Sequence, residues 1–107
     1  MNYPTGYKLF RVRANNTLGP LFVGKRRVLP IGQWLECETN LPHPGLAHRP
    51  GWHVLLKPDA PHLSRKGRRM YQVAFDGELS REQRPMSQGG EWVTAQRIMI
   101  ISAYGNP

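Results

Sequence analysis

Alternating apolar and polar positions along the chain predict short β-strands. In residues 7–13 the alternation places Phe10 and Val12 on one face and Arg11 and Arg13 on the other. We therefore expect Phe10 and Val12 to point towards the core and both arginines to point away from it. Further strands are predicted at residues 18–23, 53–56, 70–75 and 98–101.

The strand at residues 98–101 is apolar at every position, which is typical of a central strand covered on both faces. The pair Asp76–Gly77 predicts a turn that ends the strand of residues 70–75. Helical periodicity is scarce, since residues 31–37 and 80–83 favour a turn or two each and neither sustains a repeat over three turns. Loops rich in proline, glycine or polar residues are expected at residues 39–51, 58–69 and 85–90.

The pattern predicts a mainly β fold (β-rich α+β), a small compact antiparallel or mixed sheet with long loops and at most one or two short helices. The length of 107 residues suits a single domain over residues 1–107. Cys37 is the only cysteine, and a lone thiol is typical of a reducing cytoplasm. Neither a signal-peptide core nor an apolar run of ~20 residues is present, so we expect a soluble cytoplasmic protein.

The charge adds a functional expectation to this structural one. Fifteen lysines and arginines against seven acidic residues give a net charge of +8, and most of the cations are arginine. Arginine binds phosphate or carboxylate in a bidentate way, so the surplus favours a polyanionic partner, either nucleic acid or an acidic protein. A surplus that only keeps the protein soluble is the alternative. The candidate polyanion-binding residues are Arg11, Arg13, Lys25, Arg26, Arg27, Arg65, Lys66, Arg68 and Arg69.

Two of these cationic clusters, residues 25–27 and 65–69, lie in predicted turns or loops, where phosphate contacts are commonly made. The tryptophans offer a second kind of contact, because an indole ring can stack on a base. Tryptophan in a domain this small is more often part of the core, and we favour that interpretation for Trp34, Trp52 and Trp92.

Motifs for cofactor chemistry are scarce. Neither G-x-G-x-x-G nor G-x-x-x-x-G-K-[ST] occurs, which excludes the common phosphate-binding loops. Cys37 and the four histidines are metal-ligand types, but their spacing matches no zinc pattern, so no metal site is predicted. His53, at a strand start, is a candidate acid, base or hydrogen-bond donor, or else a buried structural histidine. Glu91, after a glycine pair, is a candidate catalytic carboxylate or a partner for an arginine on a neighbouring strand.

Several segments carry a wider resemblance. They are F-R-V-R at residues 10–13, L-G-P-L-F-V at 18–23, G-Q-W-L-E at 32–36, R-P-G-W-H at 49–53, A-P-H-L-S at 60–64, the strand at 71–75 and G-G-E-W at 89–92. In this order, over most of the chain, they resemble a group of small proteins of no established activity that bacteriophages and prophages encode. The resemblance implies a phage accessory protein acting in the cytoplasm of an infected bacterium.

A second set of residues carries a weaker resemblance. Arg11 or Arg13 stands on the first strand, Trp52–His53 in the middle and Glu91 before the last apolar strand. This order resembles the site of a degenerate ADP-ribosyltransferase, although S-T-S and H-G-T stretches are absent. The resemblance implies that a first-strand cation holds NAD and that Glu91 stabilises an oxocarbenium-like centre. It makes Arg11, His53 and Glu91 the catalytic candidates.

We expect a binding protein more than an enzyme. The favoured function is that of a small basic phage accessory protein that binds nucleic acid, a host nucleoprotein or an acidic host protein. Binding would modulate or inhibit that partner, in host takeover or against a host defence, with no cofactor and no membrane association. The alternatives are a degenerate ADP-ribosyltransferase-like enzyme that uses NAD, and a structural or assembly component of the phage.

Overall fold

The computed structural model describes residues 2–20, 27–37 and 51–105, and they form a mainly β structure with long connections. All strand pairs are antiparallel, which confirms the predicted fold class and resolves its choice between an antiparallel and a mixed sheet. The strands are β1 (Thr5–Val12), β2 (Leu18–Gly19), β3 (Trp34–Glu36), β4 (Trp52–Leu55), β5 (Arg68–Gln83) and β6 (Glu91–Ala103).

The strand pairings form a closed circuit. β1 pairs along most of its length with the first half of β5, and β5 pairs with β6 as a long hairpin. The other edge of β6 pairs with β4, and β4 returns to β1 at the residue pair Tyr7 and Leu55. β3 extends the β6 edge beyond β4, and β2 pairs with the end of β1. The sheet therefore curls on itself, so that one face, the inner face, encloses a core.

Alternate residues of every long strand fill the inner face. Phe10, Val54, Val73, Ile98 and Ile100 are completely buried there, and Val12 packs against the same cluster. Burying a side chain of this size stabilises the fold by about 1.5–3 kcal/mol. The alternation in residues 7–13 thus identified the inward side of the first strand correctly.

A second apolar cluster lies on the opposite, outer face of the sheet. Leu9, Leu55, Met70 and Trp92 are buried there, together with Ala60 from the connection between β4 and β5. This connection packs across the outer face, so β1 has buried residues on both sides. Because the connection is held by this contact, the basic residues near its end have a defined position relative to β1.

The predicted turn at Asp76–Gly77 is wrong. β5 continues through both residues to Gln83, with Asp76 opposite Arg97 of β6. Gly77 has a φ of 73°, and a side chain there would meet Gln96, so the glycine serves a distorted strand and not a hairpin turn.

The structure also differs from other local predictions, because strand partners distant in the chain outweigh weak local preferences. Residues 80–83 are strand, and residues 31–37 form a turn followed by β3, so neither stretch is helical. The predicted strand at 18–23 ends at Gly19 as far as the described residues extend, and residues 21–23 lie outside them. In the predicted strand at 98–101, Ile101 lies at a bulge and is 43% exposed, so the strand is central but not covered throughout.

Helical structure within the described ranges is limited to a 3-10 turn at Met86–Gln88 in the β5–β6 connection. No helix in these ranges is long and apolar enough to cross a membrane. The turn ends at Gly89, which has a φ of 93° and donates its N–H to the carbonyl of Met86. The indole of Trp92 donates to the carbonyl of Gln88 at 2.7 Å, which ties the turn to β6.

Closure of the sheet depends on a close approach at Gly6. A Cβ atom there would overlap the side chain of Val54 and lie 2.6 Å from the carbonyl oxygen of Leu55. We expect Gly6→Ala to lower the free energy of unfolding by about 1–3 kcal/mol, because β4 must move away from β1. Urea unfolding followed by tryptophan fluorescence measures the change.

The matched control is Thr5→Ala, an exposed position in the same strand. This change should shift the free energy of unfolding by only about 0.5 kcal/mol. Equal stabilities for Gly6→Ala and Thr5→Ala would show that the approach of β1 to β4 does not limit closure.

Candidate polyanion-binding site

Two arginines meet at one end of the β1–β5 pair. Arg11 lies directly opposite Arg68, and both share the outer face, because each is two residues from a residue of the outer cluster, Leu9 or Met70. Like charges placed opposite each other on a sheet disfavour the pairing. The two guanidinium groups thus start from neighbouring positions on one face of the sheet.

A tight turn brings further cations to the same place. The Arg68 N–H donates to the Arg65 carbonyl at 3.0 Å, and Gly67 takes a φ of 69° at the third position of the turn. The N–H of Val12 donates to the carbonyl of Gly67, so the turn is fixed to the end of β1. Arg65 and Lys66 are both exposed on this turn. We call the set Arg11, Arg65, Lys66, Arg68 and Arg69 the basic edge.

Arg69 lies opposite Phe10 and starts from the inner face of the sheet, whereas Arg11 and Arg68 start from the outer face, so it joins the basic edge from the other face. Its Nη2 donates to the carbonyl of Gly105 at 3.2 Å, which links the start of β5 to the segment after β6. Its Nε is buried without a hydrogen-bond partner within the described residues. The guanidinium is half-buried and held in position.

The remaining predicted cations are arranged differently. Arg13 donates to the carbonyls of Leu18 and Arg27 at 2.9 and 2.7 Å, so it supports the connection after β1. The guanidinium of Arg27 lies 5.4 Å from the ring centre of Trp52, within range of a cation–π interaction. Lys25 and Arg26 lie outside the described residues.

The carboxylates are concentrated elsewhere on the sheet. Arg97 of β6 binds Glu36 and Asp76, and Arg81 of β5 binds Glu78 and Glu91. A further pair joins Arg84 to Glu82. Three arginines outside the basic edge therefore neutralise these acids, and the described positive charge is unevenly distributed.

The catalytic candidates occupy different parts of the sheet. Arg11 pairs with the first residue of β5, whereas Glu91 pairs with its last residue, Gln83. The pKa of Arg81 is raised by its hydrogen bonds, first by the bond to Glu78 and to a smaller extent by the bond to Glu91. Glu91 thus has an arginine partner on the neighbouring strand, as one of the two sequence interpretations predicts. An NAD site would need the cation and the carboxylate to meet, and the register places them at opposite ends of β5.

His53 lies on the outer face of β4, with its ring edge-on to Trp92 at 6.3 Å. The ring of His62 meets the same indole at 5.8 Å. The guanidinium of Arg84 lies 5.0 Å from the ring centre of Trp92. Within the described ranges, no group of three histidine, cysteine or acidic side chains could hold a metal ion. His43 and His48 fall outside those ranges.

Two of the three tryptophans belong to the core, as their residue type favours. Trp52 and Trp92 are buried, and the indole of Trp52 donates to the carbonyl of Leu35 at 2.9 Å. Trp34 is half-buried and meets the exposed ring of Tyr3. Buried indoles cannot serve as stacking surfaces for bases.

Lys8 is a buried cation that sequence reasoning did not select. Its Nζ donates to the carbonyl of His53 at 2.8 Å and lies 5.9 Å from the ring centre of Trp52. The residue as a whole is half-buried, and removal of water from its amine lowers its pKa from 10.5 to about 8. A sequence signal for the inward position of Lys8 does exist: the alternation in residues 7–13 places it on the same face as Phe10.

The lowered pKa of Lys8 predicts a pH-dependent stability. Between about pH 8 and 10.5 the folded protein holds fewer protons than the unfolded chain, so its stability should rise with pH across this range. The cost of the charged amine, about 1–3 kcal/mol, is present in full below about pH 8. Urea unfolding at both ends of the range should show this rise in the wild type and a smaller one in Lys8→Met.

Lys57→Met is the control for this experiment, because Lys57 is exposed. It should keep the pH dependence of the wild type. A Lys8→Met protein with the same pH dependence as the wild type would contradict a desolvated amine at this position.

The comparisons with known proteins leave the site to be interpreted from its own geometry. No protein-family model, curated protein or solved structure matches the chain.

Proposed function

We propose that this protein binds nucleic acid through the basic edge. One observation carries the proposal: Arg11 and Arg68 face each other on the sheet, beside a fixed turn that exposes Arg65 and Lys66. The printed ion pairs of the described sheet join its acids to arginines of other segments, and the exposed cations Arg65 and Lys66 are grouped at this edge. A local concentration of cations attracts phosphate more strongly than the same charge spread over the surface.

The chemistry of these side chains suits phosphates. One guanidinium group can bind two phosphate oxygens at once. The backbone hydrogen bonds of the turn fix the positions from which these side chains extend. The guanidinium groups of Arg68 and Arg69 donate to the carbonyls of Ser64 and Gly105, each at 3.2 Å, so they need little further ordering on binding. Contacts of this kind fix position and orientation on a nucleic acid without selecting a sequence.

Nucleic acid fits the basic edge better than an acidic protein does. Tight protein–protein interfaces rely on buried aromatic or aliphatic anchors at their centre. Of the large exposed apolar side chains of the described surface, Tyr104 lies beside the basic edge, whereas Val28, Ile31, Leu79 and Met86 lie on other segments, so one ring is offered there and not a cluster of anchors. The exposed turn of the basic edge instead presents Arg65 and Lys66.

The resemblance to phage-encoded proteins supplies a setting for this activity. In that setting, the protein would bind nucleic acid or a nucleoprotein of an infected bacterium and so modulate or inhibit it. Binding that depends on phosphates and not on sequence is compatible with such a role. The alternative is an NAD-using enzyme. The strand register does not favour it, because Arg11 and Glu91 pair with opposite ends of β5.

A matched pair of lysine variants tests the proposal. Lys66→Gln and Lys57→Gln each remove one exposed positive charge, but only Lys66 belongs to the basic edge. We expect Lys66→Gln to weaken binding to a labelled oligonucleotide and to reduce the slope of log K against log salt by about 1, because one phosphate contact is lost. Fluorescence anisotropy over a salt series measures both quantities.

Lys57→Gln should leave the salt slope close to that of the wild type. Equal losses in the two variants would mean that net charge alone attracts the oligonucleotide. Absence of salt-dependent binding by the wild type would reject nucleic acid as the partner.

A further inference from the structure

An exposed tyrosine lies beside the basic edge. Tyr104 follows β6, and its N–H donates to the carbonyl of Met70 at 2.8 Å. Its ring meets Tyr7 edge-on at 5.1 Å, which places it on the outer face together with Leu9 and Arg11. Although this contact orients the ring, the residue remains 45% exposed.

The backbone at Tyr104 lies close to the segment of β5 that carries the cations. Met70 is two residues from Arg68 on one face of β5, a distance of about 7 Å along a strand. On the other side, the carbonyl of Gly105, the next residue after Tyr104, accepts the hydrogen bond from Arg69. The aromatic ring and the guanidinium groups are therefore held by the same short stretch of sheet.

From this arrangement we infer that the nucleic acid bound at the basic edge is single-stranded, with one base stacked on Tyr104. The inference rests on the proposed function. A single strand offers both phosphates and free base faces, and stacking on an aromatic side chain tolerates any base. A duplex keeps its base faces inside the helix, so it would use the cations and leave the ring without a role.

A second exposed tyrosine provides the comparison. Tyr3 is 40% exposed and packs edge-on against Trp34 at 4.8 Å, so it matches Tyr104 in residue type, exposure and contact. The charges around Tyr3 differ from those around Tyr104. Its partner Trp34 shares a face of β3 with Glu36, and Glu36 and Asp76 both form ion pairs with Arg97. Two carboxylates around one arginine disfavour a phosphate chain, so Tyr3 should not take part in binding.

Binding of a labelled oligothymidylate and of a duplex of the same length tests the inference. The wild type should prefer the single strand. Tyr104→Leu, which keeps an apolar cover over the sheet, should weaken single-strand binding by about 5- to 150-fold and leave duplex binding nearly unchanged. Tyr3→Leu should change neither, and circular dichroism and thermal unfolding check that both variants fold.

A fluorescent adenine analogue placed within the oligothymidylate reports stacking in the wild type without any substitution. Its emission should fall on binding to the wild type and to Tyr3→Leu, and should fall much less on binding to Tyr104→Leu. This readout responds to the base and not to the phosphates.

The outcomes separate the two proposals. Equal wild-type affinity for single strand and duplex, with no change of emission and no effect of Tyr104→Leu, would overturn the single-strand inference and leave nucleic-acid binding in place. Weaker binding by Lys66→Gln together with a retained preference for the single strand supports both. Failure of the wild type to bind either probe would reject both proposals.

Discussion

The structure depends on the position of β1, which pairs with β5 along one edge and reaches β4 on the other. This double pairing closes the sheet, and it requires a residue without a side chain at Gly6, where the backbone of β4 comes close. Closure creates an inner face in which Phe10 is fully buried. The edge of β1 that faces away from β5 pairs with β4 at Tyr7 and with β2 at Arg11 and Val12, which shortens the free edge available to other chains. The basic edge lies at the end of this strand, so its geometry follows from the same constraint.

Charge is organised by the sheet and not by the order of residues in the chain. Arg81 and Arg97 hold carboxylates from neighbouring strands, and these exposed pairs contribute little to stability individually. They hold the acids of the described sheet in ion pairs with arginines that lie outside the basic edge. The proposed function uses the cations grouped at the basic edge, and the inference of a single-stranded partner adds the exposed ring of Tyr104.

Several features could be predicted from neighbouring residues and several could not. The alternation around Phe10 identified the inward face of β1, and the Arg65–Arg69 cluster was recognised as a unit. The turn predicted at Asp76–Gly77 was wrong, because β6 pairs with β5 from Tyr71 to Gln83 and a glycine can adapt to a distorted strand as well as to a turn. The helical tendency of residues 80–83 was overridden for the same reason. The pairing of Arg11 with Arg68 has no local signal, and the alternation that places Lys8 on the face of Phe10 does not identify the carbonyl of His53 as its partner.

Local sequence pattern is enough to establish the mainly β character of the protein, the sign of its charge and which residues of its first strand face the core. These properties follow from composition and from a period of two residues, which are local. The tertiary structure alone decided which cations lie together, which are ion-paired, and that Tyr104 is exposed beside them. Such properties depend on strand register and on contacts between residues far apart in the chain, and the free energy that selects them comes from burying the two apolar clusters.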